Sequence, residues 1–266
     1  MRKIRIAAQI HPQQGTWAGL RNAALEAERR GYDIAYNWDH FYPLYGDRDG
    51  PHFEAWAVLA AWAEATSTIE IGPLVSCVGY RNPDYLADVA RTTDHISGGR
   101  VILGLGAGWQ RRDYDEYGYE FGTVGSRLTS LEEGMPRIAG RLERLNPPPV
   151  RRMPILIAGV GEQRTLRLVA RYADGWHAAF PESPDELVPK IEALRRWCAA
   201  EDRDPGDIEW GLGVDDEDPE GFLGKHGDRL LEMGFTQFTI GFNGPDWDLS
   251  GGEPWLRWRD ERNLDR

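Results

Sequence analysis

Cysteine is nearly missing from this chain: only Cys77 and Cys198 occur among 266 residues, far apart. They offer no disulfide framework and no paired spacing of the kind that holds zinc, and they suit a reducing cytoplasm. No apolar run is long enough to span a bilayer. The opening M-R-K-I-R-I-A-A-Q-I reads as a strand rather than a signal peptide. The expected setting is therefore the cytoplasm, with no membrane partner. Basic charge is also short, with 31 Lys and Arg against 43 Asp and Glu and a formal net charge of -12. Nucleic acid is excluded as a partner, because phosphate recognition needs a basic face. A local arginine cluster around a small anionic ligand remains compatible with that charge. Familiar catalytic signatures are absent too. There is no His-x-His after the first strand, no H-E-x-x-H and no G-x-S-x-G elbow. A metal hydrolase using His11, Asp39, His40 and His177 is disfavoured on that ground, and no metal ion is expected.

What is present is organised around Arg100–Trp109, R-V-I-L-G-L-G-A-G-W. Its apolar run Val101–Leu105 suits a strand buried on both faces, and Gly106, Ala107 and Gly108 let another group approach the backbone closely. Gly104 and Gly106 begin a dinucleotide fingerprint. Trp109 stands where its third glycine belongs, and no acidic ribose partner follows at the expected spacing.

Similar units recur along the chain. The pattern predicts strands at Ile4–Ile10, Asp33–Trp38, Thr68–Val75, Val101–Leu105, Ile155–Ala158, Gly175–Ala179, Ile208–Val214 and Phe235–Phe242. Helices are expected between them at Trp17–Arg30, Phe53–Ala65, Tyr85–Ile96, Ser126–Leu145, Gln163–Tyr172, Asp185–Glu201 and Phe222–Met233, with a charged tail at Trp255–Arg266. Arg111–Gly125 reads as a loop, and Gly134-Met135-Pro136 as an interruption of the helix around it. Eight strands alternating with helices, with no linker between residues 1 and 266, point to a single α/β domain, a (β/α)8 TIM barrel.

In such barrels chemistry sits where strands end. That rim would gather His11, Asp39, His40, Ser76, Ala107, Gly108, Trp109, Gly159–Gly161, His177 and Asn243. Asp39-His40 admits two readings, a proton-handling histidine beside an orienting carboxylate, or a cap beside a surface histidine. Ser76 is a ligand contact or a turn residue. Gly159-Val160-Gly161 is an anion site at a helix start, with Gln163 and Arg164 beside it, or a plain strand-to-helix turn. His11 and His177 are pocket residues or ordinary polar residues. Several of the eleven tryptophans are expected to line a pocket.

Two stretches then resemble a known family, the luciferase-like flavin and deazaflavin oxidoreductases. They are Gly99–Gly108 with Trp109 and Tyr114-Asp115-Glu116-Tyr117-Gly118, and Pro154–Trp176, P-I-L-I-A-G-V-G-E-Q-R-T-L-R-L-V-A-R-Y-A-D-G-W. The W-D-H-F of Trp38–Phe41 and the Y-R-N-P of Tyr80–Pro83 resemble its coenzyme F420-dependent branch. The likeness runs to about residue 215. It implies an oxidoreductase that moves a hydride between the deazaflavin and a small organic substrate. His40 would be catalytic and Asp39 would touch the cofactor. Ser76, Ala107 and Gly108 would line the ring, while Gly159, Val160, Gly161, Gln163 and Arg164 would hold the phosphate-bearing tail. His11, Trp109 and His177 would face the substrate. Some family members carry a proton-handling glutamate where this chain has Trp109, which speaks against the sugar-phosphate dehydrogenase branch. A non-proline cis peptide is implied between Gly72 and Val75. FMN with a monooxygenase reaction is the alternative, as is a cofactor-binding protein with little catalysis. The expected assembly is a homodimer.

Overall fold

Each apolar run that ends in glycine or a small residue becomes a parallel strand, and the helix after it packs on the outside of the sheet. The computed structural model describes residues 2–178, 181, 183–214 and 217–264. β1 (Arg5–Ile10) pairs with β2 (Ile34–Asn37) and with β9 (Phe235–Phe242). From β9 the sheet runs through β8 (Glu209–Gly213), β7 (Gly175–Ala178), β6 (Ile155–Ala158) and β5 (Leu103–Gly106) to β4 (Ser76–Cys77). On the other side β2 pairs with β3 (Glu70–Pro73), and a parallel bridge from Ile71 to Val101 closes the barrel. The (β/α)8 barrel is thus present, with strands four and five adjacent as expected.

The third strand differs from expectation. Instead of one run over Thr68–Val75, it is split into β3, bonded to β2, and β4, bonded to β5. The peptide between the halves, Leu74–Val75, is cis, inside the expected window. The backbone here lies against β5 without intervening side chains. A Cβ at Gly104 would stand 2.0 Å from the Pro73 carbonyl oxygen, so only glycine allows that approach. The predicted Ala179 end of the sixth strand lies outside the described residues.

The helices are α1 (Trp17–Arg30), α2 (Ala55–Ala65), α3 (Pro83–Ser97), α4 (Arg111–Tyr117), α5 (Val124–Arg144), α6 (Thr165–Tyr172), α7 (Val188–Ala200), α8 (Pro219–Met233) and α9 (Glu253–Asn263). Local signals set α1: the Thr16 hydroxyl accepts the Gly19 N–H at 3.2 Å, and Gly31 ends it at φ 84°. Two expectations are corrected. The segment read as a loop at Arg111–Gly125 contains α4, a helix of seven residues too short to show periodicity. The break expected at Gly134-Met135-Pro136 does not occur. α5 runs through Pro136, and Gly134 packs where a Cβ would meet the Val78 side chain at 2.7 Å.

The main core lies between strands and helices and includes Trp62, Trp176 and Trp255. A smaller apolar group, Ala7, Ile34, Tyr36, Ile102 and Leu156, fills the barrel interior. At the N-terminal mouth Arg5 is flanked by Glu70 and Glu209, bonding Glu209 Oε1 from Nε at 2.9 Å, and Arg151 also reaches Glu70. Burial opposes the charge on Arg5, yet the two glutamates outweigh it and hold its pKa above the ordinary value. No helix among the described residues is long and apolar enough to cross a membrane.

Candidate functional site

At the opposite mouth the strand ends enclose a cavity of about 910 Å³. Gly106, Gly108, Gly159, Gly213 and Gly241 line it, so much of its wall is bare backbone. Val75 forms part of the floor, packed so closely on Gly106 that a Cβ there would stand 2.6 Å from it. Gln9, alternating inward on β1, donates from Nε2 to the Leu74 carbonyl at 2.9 Å and fixes that floor from below. Among the described residues no lysine or arginine lines the cavity.

His40 follows β2 and reaches the cavity edge, its side chain 12% exposed. Its Nδ1 lies 2.6 Å from Asp113 Oδ2 on α4. Asp113 is fully buried and accepts two further hydrogen bonds, from the Phe41 N–H and the Tyr80 hydroxyl, each at 3.1 Å. Burial pushes the Tyr80 phenol well above its usual pKa, so it stays a donor. The indoles of Trp38 and Trp109 stand edge-on to the imidazole at 5.8 and 5.6 Å.

Asp39 is buried beside the cavity, but its carboxylate is already engaged. Arg81 forks onto it at 2.5 and 2.9 Å, and the Cys77 N–H donates at 3.2 Å. Burial works against the Arg81 charge, and Asp39 with Glu54 overcomes it, holding the guanidinium above its ordinary pKa. The Cys77 thiol also lines the cavity. Burial lifts it to about 11, which keeps it a thiol rather than a nucleophile at neutral pH.

Two further histidines face the space. His11 stacks on Trp38 at 3.9 Å and bonds Asn243 through Nδ1 at 2.9 Å. His177, on β7, contacts Thr239 Oγ1 at 3.1 Å. Burial lowers both to about 4, so both are neutral at pH 7. His52, which takes the Trp38 indole N–H at 3.2 Å, is lowered to about 4 by burial as well.

The structure thus gathers His11, Asp39, His40, Ala107, Gly108, Trp109, Gly159 and His177 around one cavity. It does not bring in five others. Ser76 is fully buried and turned toward α2, where its hydroxyl accepts the Trp56 indole N–H at 2.8 Å. The turn at Gly159–Gly161 leads to a helix that starts at Thr165, two residues later than expected, and leaves Gln163 exposed. Arg164 points at α5, bonding Glu132 at 3.0 Å, Thr129 Oγ1 and the Gly125 carbonyl. Val160 packs against the core and Gly161 is exposed, both away from the cavity lining. Asp113, Tyr80, Arg81 and Gln9 were missed as site residues. Tyr80 and Arg81 stand inside the Y-R-N-P motif, which was a usable signal. Asp113 had none, because the seven-residue helix that carries it leaves no pattern. Among the described residues no three His, Cys, Asp or Glu side chains group to hold a metal ion.

Comparison with known proteins agrees with this architecture. A family model described as luciferase-like monooxygenase matches residues 2–215. A relative from Mycobacterium tuberculosis (strain ATCC 25618 / H37Rv), named F420-dependent hydroxymycolic acid dehydrogenase, is 30% identical over 199 residues. That match covers 68% of this chain and 54% of the relative, so the chain spans about half its length. Among solved structures, an F420-dependent secondary alcohol dehydrogenase in complex with an F420-acetone adduct superposes with a TM-score of 0.83. It is 19% identical over 96% of this chain and 98% of that one. A type II Baeyer-Villiger monooxygenase from Pseudomonas putida, in complex with FMN, has a TM-score of 0.68 at 13% identity, covering 97% and 96%.

Proposed function

The chain belongs to the luciferase-like monooxygenase family and is an oxidoreductase, and we propose that it uses coenzyme F420 to interconvert a small, uncharged alcohol and its carbonyl compound. His40 carries this reading. It stands at the cavity edge with Nδ1 occupied by Asp113, which leaves Nε2 as the ring nitrogen for a substrate oxygen. When bound, a deazaflavin accepts or gives a hydride, and the protein supplies orientation and a proton route.

The residues present fit the ring of that group. Glycine walls and the Leu74-Val75 floor accept a flat body, and the cavity is large enough for ring and substrate together. They do not hold an acidic tail inside, because no cation among the described residues lines the cavity. That tail would leave over Gly159–Gly161, past Gly159, whose N–H and carbonyl are already bonded to the His177 carbonyl and the Trp176 indole, while Arg164 braces the adjacent helix against Glu132. Asp39 would set the rim through Arg81 and Cys77 rather than bond the ring with a free oxygen. His11, neutral and stacked on Trp38, would shape an uncharged substrate pocket together with Trp109. The names of the relative and of the first structural neighbour, a dehydrogenase in each case, support an alcohol–carbonyl pair.

The test is calorimetric titration of purified apoprotein with coenzyme F420 and, separately, FMN. Tighter binding of F420 is expected. Equal or tighter binding of FMN overturns the cofactor assignment and favours a monooxygenase.

A further inference from the structure

We propose that Asp113 is the positioning residue for His40, locking its neutral ring as the Nδ1–H tautomer and so presenting Nε2 to the cavity as a proton acceptor. The direction that follows rests on the function proposed above: the site is poised to oxidise an alcohol.

The argument begins with what each group can do. Asp113 accepts at both oxygens, the Phe41 N–H at Oδ1 and the Tyr80 hydroxyl at Oδ2, and a carboxylate bonded in this way only accepts, so the nitrogen 2.6 Å from Oδ2 carries the hydrogen. In a neutral imidazole the other nitrogen is then a bare lone pair. Asp113 cannot turn away from this duty, because its second oxygen takes the Phe41 N–H and the first also takes the Tyr80 hydroxyl. Its side chain is fully buried, away from bulk solvent. The helix that carries it is pinned at the next residue. Tyr114 lies 3.1 Å from Cys77 Sγ through its hydroxyl and donates to the Ala107 carbonyl at 3.3 Å. The imidazole packs edge-on against Trp38 and Trp109, and a ring flip would put a C–H against the carboxylate.

In the oxidising direction the substrate O–H bond breaks and its proton goes to His40 Nε2. The carbinol C–H bond breaks with its electron pair, the hydride passes to the oxidised deazaflavin, and the C=O bond forms. The imidazolium so produced is then paired with the Asp113 carboxylate, which favours proton removal. Trp109 cannot share this duty, because its indole nitrogen only donates. The other groups near His40 are Tyr80 and the rings of His11 and His52, which are neutral at pH 7. None of them competes with Asp113 for Nδ1.

The first readout needs neither cofactor nor substrate. Apoprotein labelled with 15N-histidine is studied by long-range 1H–15N correlation at alkaline pH, and the signal of His40 is assigned by its loss in His40→Ala. A single Nδ1–H pattern is expected in the unmodified protein. Asp113→Asn should replace it with the Nε2–H form or a mixture, and Tyr80→Phe should preserve it. An Nε2–H pattern for His40 in the unmodified protein overturns the proposal even if Asp113→Asn does not fold. An unchanged pattern in folded Asp113→Asn overturns it as well. Once a substrate alcohol turns over, Asp113→Asn should lower kcat by about 10-fold or more with KM little changed. In the His40→Ala background the same change should cost nothing further. Equal losses in both backgrounds would mean a merely structural role. If F420 fails to bind while the tautomer result holds, the functional reading falls and this one stands.

Discussion

At the N-terminal mouth of the barrel, Arg5 lies between Glu70 and Glu209, and Arg151 closes the group from outside. The cavity there is about 350 Å³. At the C-terminal mouth the cavity is about 910 Å³, His11 and His177 are held neutral by burial, and Trp109 stands 62% exposed. Both ends concentrate polar side chains. One spends them on each other, so that the charges are satisfied within the fold. The other leaves a histidine nitrogen and an indole face for a visitor. On the function proposed above, the difference separates residues that serve stability from residues that serve chemistry.

Substitutions at the two mouths should break that separation or sharpen it. His40→Ala should cut turnover by about 100-fold or more while cofactor affinity stays within about threefold. Steady-state kinetics beside calorimetry measures the two, and normal turnover would hand the proton to another rim residue or to water. Asp39→Ala sits at the top but should behave like a bottom residue. It leaves the Arg81 charge with Glu54 as its remaining partner, at a cost of about 3 kcal/mol in urea unfolding. Arg5→Met should cost about 2 kcal/mol, less because Arg5 is a quarter exposed, with kcat unchanged in the folded fraction. A fall in kcat there would erase the distinction between the mouths.

The pH response should also come from the top. His11, His52 and His177 have folded pKa values near 4 against 6.5 when unfolded. The folded state binds their protons less well, so their contribution is whole above pH 6.5 and is lost as pH falls toward 4. Each ring should cost about 1 kcal/mol or more by pH 5. His177→Gln should flatten the urea midpoint between pH 6.5 and 5, and an unchanged slope would show that the ring is not buried neutral. The smallest effect is expected at Arg164. Because its guanidinium serves Glu132, Arg164→Ala should change stability by about 0.5 kcal/mol and F420 affinity by less than about twofold. A large, salt-dependent loss of affinity would restore the direct contact with the cofactor tail that the sequence suggested.

How much of this was legible beforehand follows from element length. β6 and β9 matched the residues expected of them, because runs of apolar residues bounded by glycine or polar residues leave a clear period. α1 matched because both its caps are written in the sequence. β4 did not, because two residues carry no alternation. Nothing local reveals that Ser76 faces Trp56 while Cys77 faces the cavity. The same limit hid α4 and with it Asp113, whose importance comes from a contact 73 residues back in the chain. His40 and Trp109 were placed at the rim by their position after strands, and both border the cavity. The engagement of Asp39 by Arg81 was not legible, since an acidic residue at a strand end looks the same whether its oxygens are free or taken.

Trp109 carries one more consequence, an optical one. Of the eleven indoles eight are buried and Trp197 is half-buried, which leaves Trp17 and Trp109 facing water. Trp17 sits at the start of α1, away from the cavity lining, while Trp109 borders it. The red edge of the emission spectrum, and the part that acrylamide quenches, therefore arises largely from these two. A ligand that covers the mouth must shield one of them and leave the other untouched. The molecule thus carries its own gauge of occupancy, readable in a Trp17→Phe background without any label.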